Sequence, residues 1–518
     1  MPSSVVADLP NGFTGSAPST PLANGGIQIG GGSTDVFIVN NKIEGGSRNG
    51  INLGSYAVQL ADGTTSGALT GLLPAMPDPA QSTYTLMLPG GVPINNTKGK
   101  LVSGSPLQNI QISNNRIRNS GLCGIGPVGF FNLAETVEVI TIQNLTITGN
   151  TIEESLQDPL TAIVFEKTIF GYGAICVPDV QGLTIRDNFV TDFGNVPGAQ
   201  VCGIFVLNGE QVEISRNQIV ETRDWTADSN GNGSTAGGAQ AGVLLMYVSP
   251  PPLDQNGDAS VWASMSALGG SSTLPLYQPG LPALTMHNNL VRVPIGRALE
   301  VVGIGPFSIA NNRLSTGGTI SVSSGNEFDA APGLKSSQSD TAFGGFLAAL
   351  IVNLGSAIEV DARGTNFTRF FNAGTVPELQ LADFALSQSS SGAIEFANNI
   401  CQLETRASGA QGIASVVILT LDHLLFSNNH LWLDGAQTAY FDALLLAGSL
   451  QVNGNRLQES AGSVFASGIT FGVSNITTHN SCTFCLFAVG APLVSILTPN
   501  VVFDRQFCKD DVVRKQGN

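Results

Sequence analysis

Carboxylate side chains are scattered along this chain, and no catalytic pair is obvious. A glycoside hydrolase needs two carboxyl groups on one face, one acting as acid and the other as base or nucleophile. The adjacent acidic pairs are Glu153-Glu154 and Asp510-Asp511, and the second lies in a charged tail. Weaker candidates are charged residues that would stack on neighbouring turns of a coil: Glu166, Lys167, Glu221, Arg223 and Asp224. No catalytic residue is assigned from the sequence.

Aromatic residues are concentrated between residues 224 and 283, although the chain has only three Trp and six Tyr. Aromatic rings beside Asp and Asn form a surface that can hold sugars. The predicted carbohydrate-binding residues are Asp224, Trp225, Trp262 and Tyr277. The simpler alternative is that these rings, with Tyr247, pin a long segment to the body of the protein.

Potential metal ligands do not form a convincing set. Cys482 and Cys485 have metal-ligand spacing, with His479 before them and Cys508 after them, but no second pair of this kind follows. Buried structural thiols are the favoured interpretation. Asp254 begins a calcium-loop-like stretch that lacks the terminal Glu of an EF-hand. We therefore predict no metal site and no cofactor.

An eight-residue repeat is the main signal in the sequence. Its pattern is apolar, any, apolar, any, any, Asn, any, apolar, as in IQISNNRI ending at Ile117 and FSIANNRL ending at Leu314. Successive motif asparagines are 23 to 38 residues apart, or 72 to 87 apart at three places. The longer separations indicate insertions between copies.

The motif has a direct physical interpretation. Alternating apolar residues predict a strand with one buried face, and Asn predicts a turn because it tolerates the left-handed region. Units of this kind, with no helical pattern between them, predict a coil of stacked parallel strands with equivalent residues about 4.8 Å apart. The asparagines would then form a hydrogen-bonded ladder, unless they merely mark surface turns. The predicted ladder comprises Asn41, Asn115, Asn150, Asn188, Asn217, Asn289, Asn312, Asn399, Asn429 and Asn455, with a degraded copy at Asn480.

Further apolar strands lie between motif copies, so each coil has at least two strands and a short third. The predicted organisation is an irregular segment over 1–34, a coil over 35–503 and a polar tail over 504–518. Insertions are expected at about 56–107, 224–283, 323–346 and 362–392. Loops carry function more often than the frame that positions them, so a functional site is expected beside an insertion.

Composition excludes several classes of protein. The chain has 22 Lys and Arg against 38 Asp and Glu, and a formal net charge of −16. No basic stripe is evident, so we predict that the chain does not bind nucleic acid. No stretch resembles a membrane span or a secretory signal, so localisation stays open between the cytoplasm, a particle and a non-standard export route.

From about Asp35 to Asn480, the repeat resembles the right-handed parallel β-helix proteins of the pectate-lyase-like superfamily. The resemblance implies an all-β fold, a right-handed single-stranded parallel β-helix or solenoid with several long loop insertions. It does not fix an activity, because lyases, hydrolases, phage tailspikes and inert spacers share the repeat. The Asn-Thr-Asp, Asp-Asp, Gly-His-Gly and Arg-Ile-Lys set of polygalacturonase relatives is absent. The C-terminal repeats look similar to segments of uncharacterised bacterial proteins, some encoded near contractile-tail-like genes.

Three functional hypotheses follow. The first is a non-catalytic scaffold, a fibre-like or surface module that displays loops in a phage-tail-like or cell-surface assembly. The second is a carbohydrate-active enzyme, a polysaccharide lyase or glycoside hydrolase, with a groove beside the 224–283 insertion. The third is a binding module whose coil ends meet a protein partner. The partners expected are a polysaccharide or an assembly protein, with a homo-oligomer, a trimer if tailspike-like, as a further expectation.

Overall fold

A computed structural model of the chain describes its β-strands and several of the segments between them. The described residues are 26–46, 48–59, 65–69, 87–88, 92–93, 100–128, 139–157, 172–194, 201–222, 240–252, 278, 280–294, 297–317, 349–353, 391–404, 411–412, 416–420, 422–434, 438–439, 443–459, 463–464, 469–471, 474–483, 500–503 and 507–508. Within these ranges every regular element is a β-strand, and no helix has the length and apolarity to cross a bilayer.

The strands form three faces of a coil, and each turn of the coil is here called a rung. Face A carries the strand that precedes each motif asparagine, face B the strand that follows it, and face C the strand that leads to the next rung. Neighbouring strands within each face are parallel. The predicted all-β parallel β-helix is therefore confirmed.

Face A consists of twelve strands, two of which are parts of longer strands described below. The others are Thr34–Val39, Leu107–Ser113, Thr141–Thr148, Leu284–His287, Phe307–Ala310, Ile394–Ala397, His423–Ser427, Ser449–Asn453, Ser474–Thr478 and Asn500–Phe503.

Face B is a separate sheet of 12 strands. They are Lys42–Glu44, Arg116–Arg118, Thr151–Glu153, Phe189–Thr191, Gln218–Val220, Leu290–Val293, Arg313–Thr316, Ile400–Glu404, His430–Asp434, Arg456–Glu459, Ser481–Thr483 and Phe507–Cys508.

Face C joins face A through two 15-residue strands, Tyr172–Arg186 and Val201–Ser215, which bend across both faces. The other strands of face C are Ile27–Ile29, Ile51–Leu53, Ile125–Pro127, Gln240–Ser249, Arg297–Gly303, Ala349–Asn353, Val416–Thr420, Ala443–Leu446 and Ile469–Phe471.

Eight shorter strands lie outside the three faces. Tyr56–Gln59 pairs antiparallel with both Thr65–Leu69 and Lys100–Ser103, and Met87–Leu88 pairs with Val92–Pro93. Gln411–Gly412, Thr438–Ala439 and Ser463–Val464 form a small parallel sheet.

The core is built from columns of apolar side chains that point into the coil. On face A, Ile112, Ile147 and Ile185 occupy one column at successive rungs and are fully buried. Further along the same column Phe396 and Phe426 stack, with ring centroids 5.5 Å apart and an interplanar angle of 4°. Parallel register gives every rung the same inward positions, so one continuous core runs along the coil axis.

The turn chemistry differs from the expectation that the motif asparagine itself takes the left-handed conformation. That conformation belongs to the residue before it. The preceding residues have positive φ at every described rung: Asn40, Asn114, Gly149, Asp187, Arg216, Asn288, Asn311, Asn398, Asn428, Gly454 and His479. The motif asparagines do not have positive φ, and those from Asn115 to Asn480 are buried.

The predicted insertions contain elements of their own. The 56–107 segment holds the antiparallel strands, and the 224–283 segment includes Gln240–Ser249, which is a face C strand of the coil. In the 362–392 segment, Ser391 and Gly392 bond to Asp422. The coil extends beyond the predicted range of 35–503. It also contains the strand Ile27–Ile29 before this range and the strand Phe507–Cys508 after it. The 323–346 segment lies outside the described residues.

Candidate functional site

The motif asparagines lie above one another at the corner between faces A and B. The Nδ2 of each asparagine from Asn41 to Asn455 donates to the Oδ1 of the next, over distances of 2.9 to 3.3 Å. The backbone N–H of each asparagine donates to the same Oδ1, as Asn188 does to Asn217 at 3.0 Å. The structure thus brings together all ten predicted ladder residues and Asn480.

Each ladder amide from Asn115 to Asn480 also binds the backbone of the preceding rung. Asn217 Nδ2 donates to the carbonyl of Ile185 at 2.9 Å, and Asn289 Nδ2 to that of Ile214 at 2.8 Å. Buried polar groups are costly unless they are paired, and these amides pair with both neighbouring rungs. The ladder is consequently a structural site that holds the coil in register.

The predicted carbohydrate-binding residues Asp224, Trp225, Trp262 and Tyr277 lie outside the described residues, as do Glu166, Lys167, Arg223 and Asp254. Two residues near them are described. Tyr247 and Glu221 are both buried, with 3% of each residue exposed. Neither presents an open surface to a sugar.

The remaining candidates have structural surroundings. Glu153 and Glu154 pair with Arg116 and Arg118 on the neighbouring rung. Cys482 is the register neighbour of Leu457 on face B, and Cys485 is outside the described residues. Among the residues that the structure describes, no group of three or more His, Cys, Asp or Glu side chains could hold a metal ion.

A polar cluster that sequence reasoning missed lies where the two long strands bend from face C to face A. We call Thr141, Asp179, Asn208, Glu210 and Ser249 the bend cluster. Thr141, Asp179 and Asn208 are register neighbours on three successive rungs, and Glu210 is the register neighbour of Ser249. Asp179 points outward because it precedes Val180, which points into the core. Glu210 points outward because it follows Gly209, the register neighbour of Val180.

Asp179 is fully buried, and both of its carboxylate oxygens accept hydrogen bonds. Thr141 Oγ1 donates to Oδ2 at 2.6 Å, and Asn208 Nδ2 donates to Oδ1. Burial raises the pKa of Asp179 to about 6, and the two hydrogen bonds oppose this rise. Asp179 is therefore largely ionised at neutral pH.

Glu210 is 5% exposed and lies beside Asp179. Burial first, and then the negative charge of Asp179, raise the pKa of Glu210 to about 8. Glu210 is consequently a neutral acid at pH 7. Asn208 Oδ1 and Ser249 Oγ are buried with no hydrogen-bond partner in the described part of the chain.

Two carboxyl groups with separated pKa values can in principle supply an acid and a base. Asp179, however, is completely inaccessible, and hydrogen-bond donors occupy both of its oxygens. In this arrangement it cannot attack a substrate or take a proton from one. The two acids of the bend cluster are therefore buried carboxyl groups, one largely ionised and one largely protonated at pH 7, and they do not form an assembled hydrolytic site.

Next to the bend cluster, face A carries a polar groove of about 440 Å³. Thr146, Thr184, Glu213 and Thr285, register neighbours on four successive rungs, line it. The sequence held a signal for the two acids of the bend cluster. Asp179 and Glu210 interrupt apolar runs in which a strand buried on both faces would have no acid.

Comparison with known proteins supports the fold. Residues 25–249 match the family model described as right handed beta helix region. No curated protein and no solved structure matches the chain. Beyond residue 249 the described strands of faces A and B continue in parallel register to Phe503 and Cys508, and those of face C continue to Phe471. The described part of the chain therefore folds as a right-handed parallel β-helix, and its residues 25–249 match that family.

Proposed function

We propose that this protein is a non-catalytic scaffold, a rigid β-helix that displays its insertions as a fibre-like or surface module of a larger assembly. The observation that carries the proposal is how the insertions join the coil. Gly104 N donates to Ser55 O at 2.7 Å, so the chain leaves and rejoins the coil at hydrogen-bonded residues. Gln278 N likewise donates to Pro251 O at 2.9 Å. Such junctions let a segment project without interrupting the rungs.

The interior of the coil also supports this role. The asparagine ladder and the apolar columns repeat through the described rungs, and each rung bonds to both of its neighbours. Such an array resists local opening because any one rung is held from two sides. Rigidity along an axis is what a display module or spacer requires.

The chemistry of the bend cluster favours a scaffold over a hydrolase. A hydrolase needs both carboxyl groups at the substrate. Here Asp179 has no exposed surface, and 5% of Glu210 is exposed.

Two measurements test the proposal. The full chain is incubated with a panel of neutral and acidic polysaccharides, and new reducing ends and unsaturated uronates are assayed. We expect no turnover. In parallel, residues 253–277 are replaced by a short Gly/Ser linker, and we expect the melting temperature to stay within about 2 °C, since every described strand is kept. Turnover of any glycan, or collapse of the coil without this segment, would refute the scaffold role.

The second candidate function is a carbohydrate-active enzyme, a polysaccharide lyase or glycoside hydrolase. One observation favours it: the raised pKa of about 8 keeps Glu210 largely protonated at pH 7, and the next residue, Gln211, lines the groove on face A. If the panel reveals turnover, Glu210→Gln should abolish it, whereas Glu213→Gln on the groove floor should reduce it less.

A further inference from the structure

Three buried free cysteines lie on or beside face C. We call Cys123, Cys176 and Cys202 the thiol cluster. They belong to three successive rungs, since Cys123 precedes the strand Ile125–Pro127 and the other two lie in the two long strands. No more than 2% of any of the three residues is exposed.

The register of face C places Cys176 beside a glycine of the preceding rung. Ile125 pairs with Ile175, and both side chains belong to the core. The next residue on each strand, Gly126 or Cys176, therefore points away from the core, and these two residues are neighbours across the rungs. Because Gly126 has no side chain, it leaves a space about 4.8 Å from Cys176, the spacing between neighbouring strands.

The side chain of Cys123 occupies this space. A Cβ placed on Gly126 would lie 2.7 Å from Cys123 Cβ and 3.0 Å from Cys123 Sγ. Asn49 fixes the position, because its Oδ1 accepts a hydrogen bond from Cys123 N at 3.0 Å and its Nδ2 donates to the carbonyl of Pro127 at 2.7 Å. The Cys123 side chain therefore lies about one rung from Cys176, and disulfides join Cβ atoms about 3.5–4.5 Å apart.

The electrostatics of the cluster identify the same pair. Burial first, and then hydrogen bonding with the Cys123 thiol, raise the pKa of the Cys176 thiol well above its ordinary value. For Cys202 the pKa is also raised, by burial and then by the charge of Glu300, with Cys123 the weakest of the causes. Cys123 therefore interacts with Cys176 more strongly than with Cys202.

We propose that Cys123 and Cys176 form a disulfide that joins two neighbouring rungs when the chain meets a small-molecule disulfide oxidant, and that Cys202 stays a thiol. The inference goes beyond the proposed scaffold role because it assigns a covalent, redox-dependent link within the coil itself. A display module can act with or without such a link.

The chemistry is thiol–disulfide exchange in two steps. The thiolate of one cysteine attacks the oxidant RS–SR, which forms a mixed disulfide and releases RS⁻. The thiolate of the second cysteine attacks the protein sulfur of that mixed disulfide and releases the second RS⁻. Both RS⁻ groups take up the protons that the cysteines lose, so two protein thiols and RSSR give one protein disulfide and two RSH. Two electrons pass from the protein to the oxidant.

Burial makes this exchange slow in both directions. The thiolate is the reacting form, and the raised pKa keeps Cys176 protonated at neutral pH. Exchange therefore requires a local opening of the coil wall, and the finished disulfide is protected from reductants in the same way. The bond closes a segment of 53 residues (176 − 123), so it should stabilise the rungs that it joins.

The test is oxidation of the full chain by oxidised glutathione at about pH 8.5, the ordinary pKa of a thiol. One sample is oxidised while folded, and another is refolded from denaturant in the same buffer. Remaining thiols are then alkylated under denaturing conditions, and peptide mass spectrometry identifies each disulfide. The variants are Cys123→Ala and Cys176→Ala. The matched controls are Cys202→Ala within the cluster and Cys401→Ala, a buried free cysteine on face B.

We expect the Cys123–Cys176 peptide to dominate in wild type and in both controls, and to form more slowly in the folded sample than during refolding. It should be absent from Cys123→Ala and Cys176→Ala. The oxidised wild type should melt about 3 °C higher than the reduced form, and a reductant should reverse this shift. The wild-type result identifies the bond even if a variant fails to fold.

Several results would overturn the proposal. They are absence of the Cys123–Cys176 peptide from both wild-type samples, a dominant disulfide to Cys202 or to any other cysteine, or an oxidised form that melts no higher than the reduced one. None of these bears on glycan turnover or on removal of residues 253–277, so the disulfide proposal and the scaffold proposal fail separately.

Discussion

Asn188 donates its side-chain amide to Oδ1 of Asn217 at 3.0 Å and its backbone N–H to the same atom at 3.0 Å. One oxygen thus receives both donors of the residue on the preceding rung. The two residues are 29 positions apart in the chain, and this contact holds neighbouring coils in register.

The first prediction concerns that contact. Asn217→Ala removes the acceptor of both Asn188 donors and leaves the Ile185 carbonyl without its side-chain donor. Buried unsatisfied groups each cost about 1–3 kcal/mol, so we expect a loss of about 4 kcal/mol in the free energy of unfolding. Chemical denaturation measures it. The control, Asn311→Gly at an exposed left-handed turn position, should change stability by less than about 1 kcal/mol.

The second prediction concerns the left-handed residue before the ladder. Gly454 has φ of 64°, and a Cβ there would collide with Asn428 Oδ1. We expect Gly454→Ala to destabilise the protein by about 1–2 kcal/mol, from the left-handed conformation and the collision together. Thermal unfolding provides the measurement.

A companion variant separates these two causes. Asn428→Gly removes the obstructing side chain. The double variant Gly454→Ala with Asn428→Gly should therefore regain the stability that the collision costs and keep the loss that comes from the left-handed backbone. Equal losses in the single and double variants would show that no collision exists at this corner.

The third prediction is a dependence of stability on pH through Glu210. Its pKa in the folded protein is about 8, above the ordinary value of 4.5, so the folded state binds more protons than the unfolded state between these values. Stability therefore falls as pH rises from about 4.5 to about 8. The Glu210 contribution is on the order of 5 kcal/mol, since 3.5 pKa units separate 8 from 4.5 and each unit is worth about 1.4 kcal/mol.

Melting temperatures of wild type and Glu210→Gln across this pH range test the effect. Glu210→Gln should have a higher melting temperature than wild type at pH 8. As pH rises, the melting temperature of the variant should stop falling near pH 6, the pKa of Asp179 in the folded protein. Glu213→Gln on the same strand should follow the wild-type curve. A wild-type curve that is flat from pH 5 to 8 would contradict the buried position of Glu210.

The repeat predicted the fold because its physical basis is local. Alternating apolar residues such as Leu145 and Ile147 specify a strand, and a fixed asparagine specifies a corner, so stacking follows from repetition. The left-handed residue was missed because Asn40, Asn288 and Asn311 are also asparagines. The sequence therefore does not show which of two adjacent asparagines takes the left-handed conformation and which one joins the ladder.

The assembly of the bend cluster could not be predicted in this way. Asp179 and Glu210 visibly interrupt apolar runs in the sequence, but they become neighbours only through the register of two long strands. Insertions of unequal length conceal which residues stack. Pairings of this kind depend on tertiary register rather than on spacing.

Register between rungs is the central claim, and disulfide trapping tests it most directly. Thr146 and Thr184 are outward register neighbours on adjacent rungs of face A. With Thr146→Cys and Thr184→Cys in one chain, mild oxidation should join the new thiols in most molecules, as peptide mass spectrometry will measure. Thr146→Cys with Arg186→Cys, two residues out of register, should cross-link far less. Equal cross-linking of the two pairs, or preference for the second, would contradict the stacked coil described here.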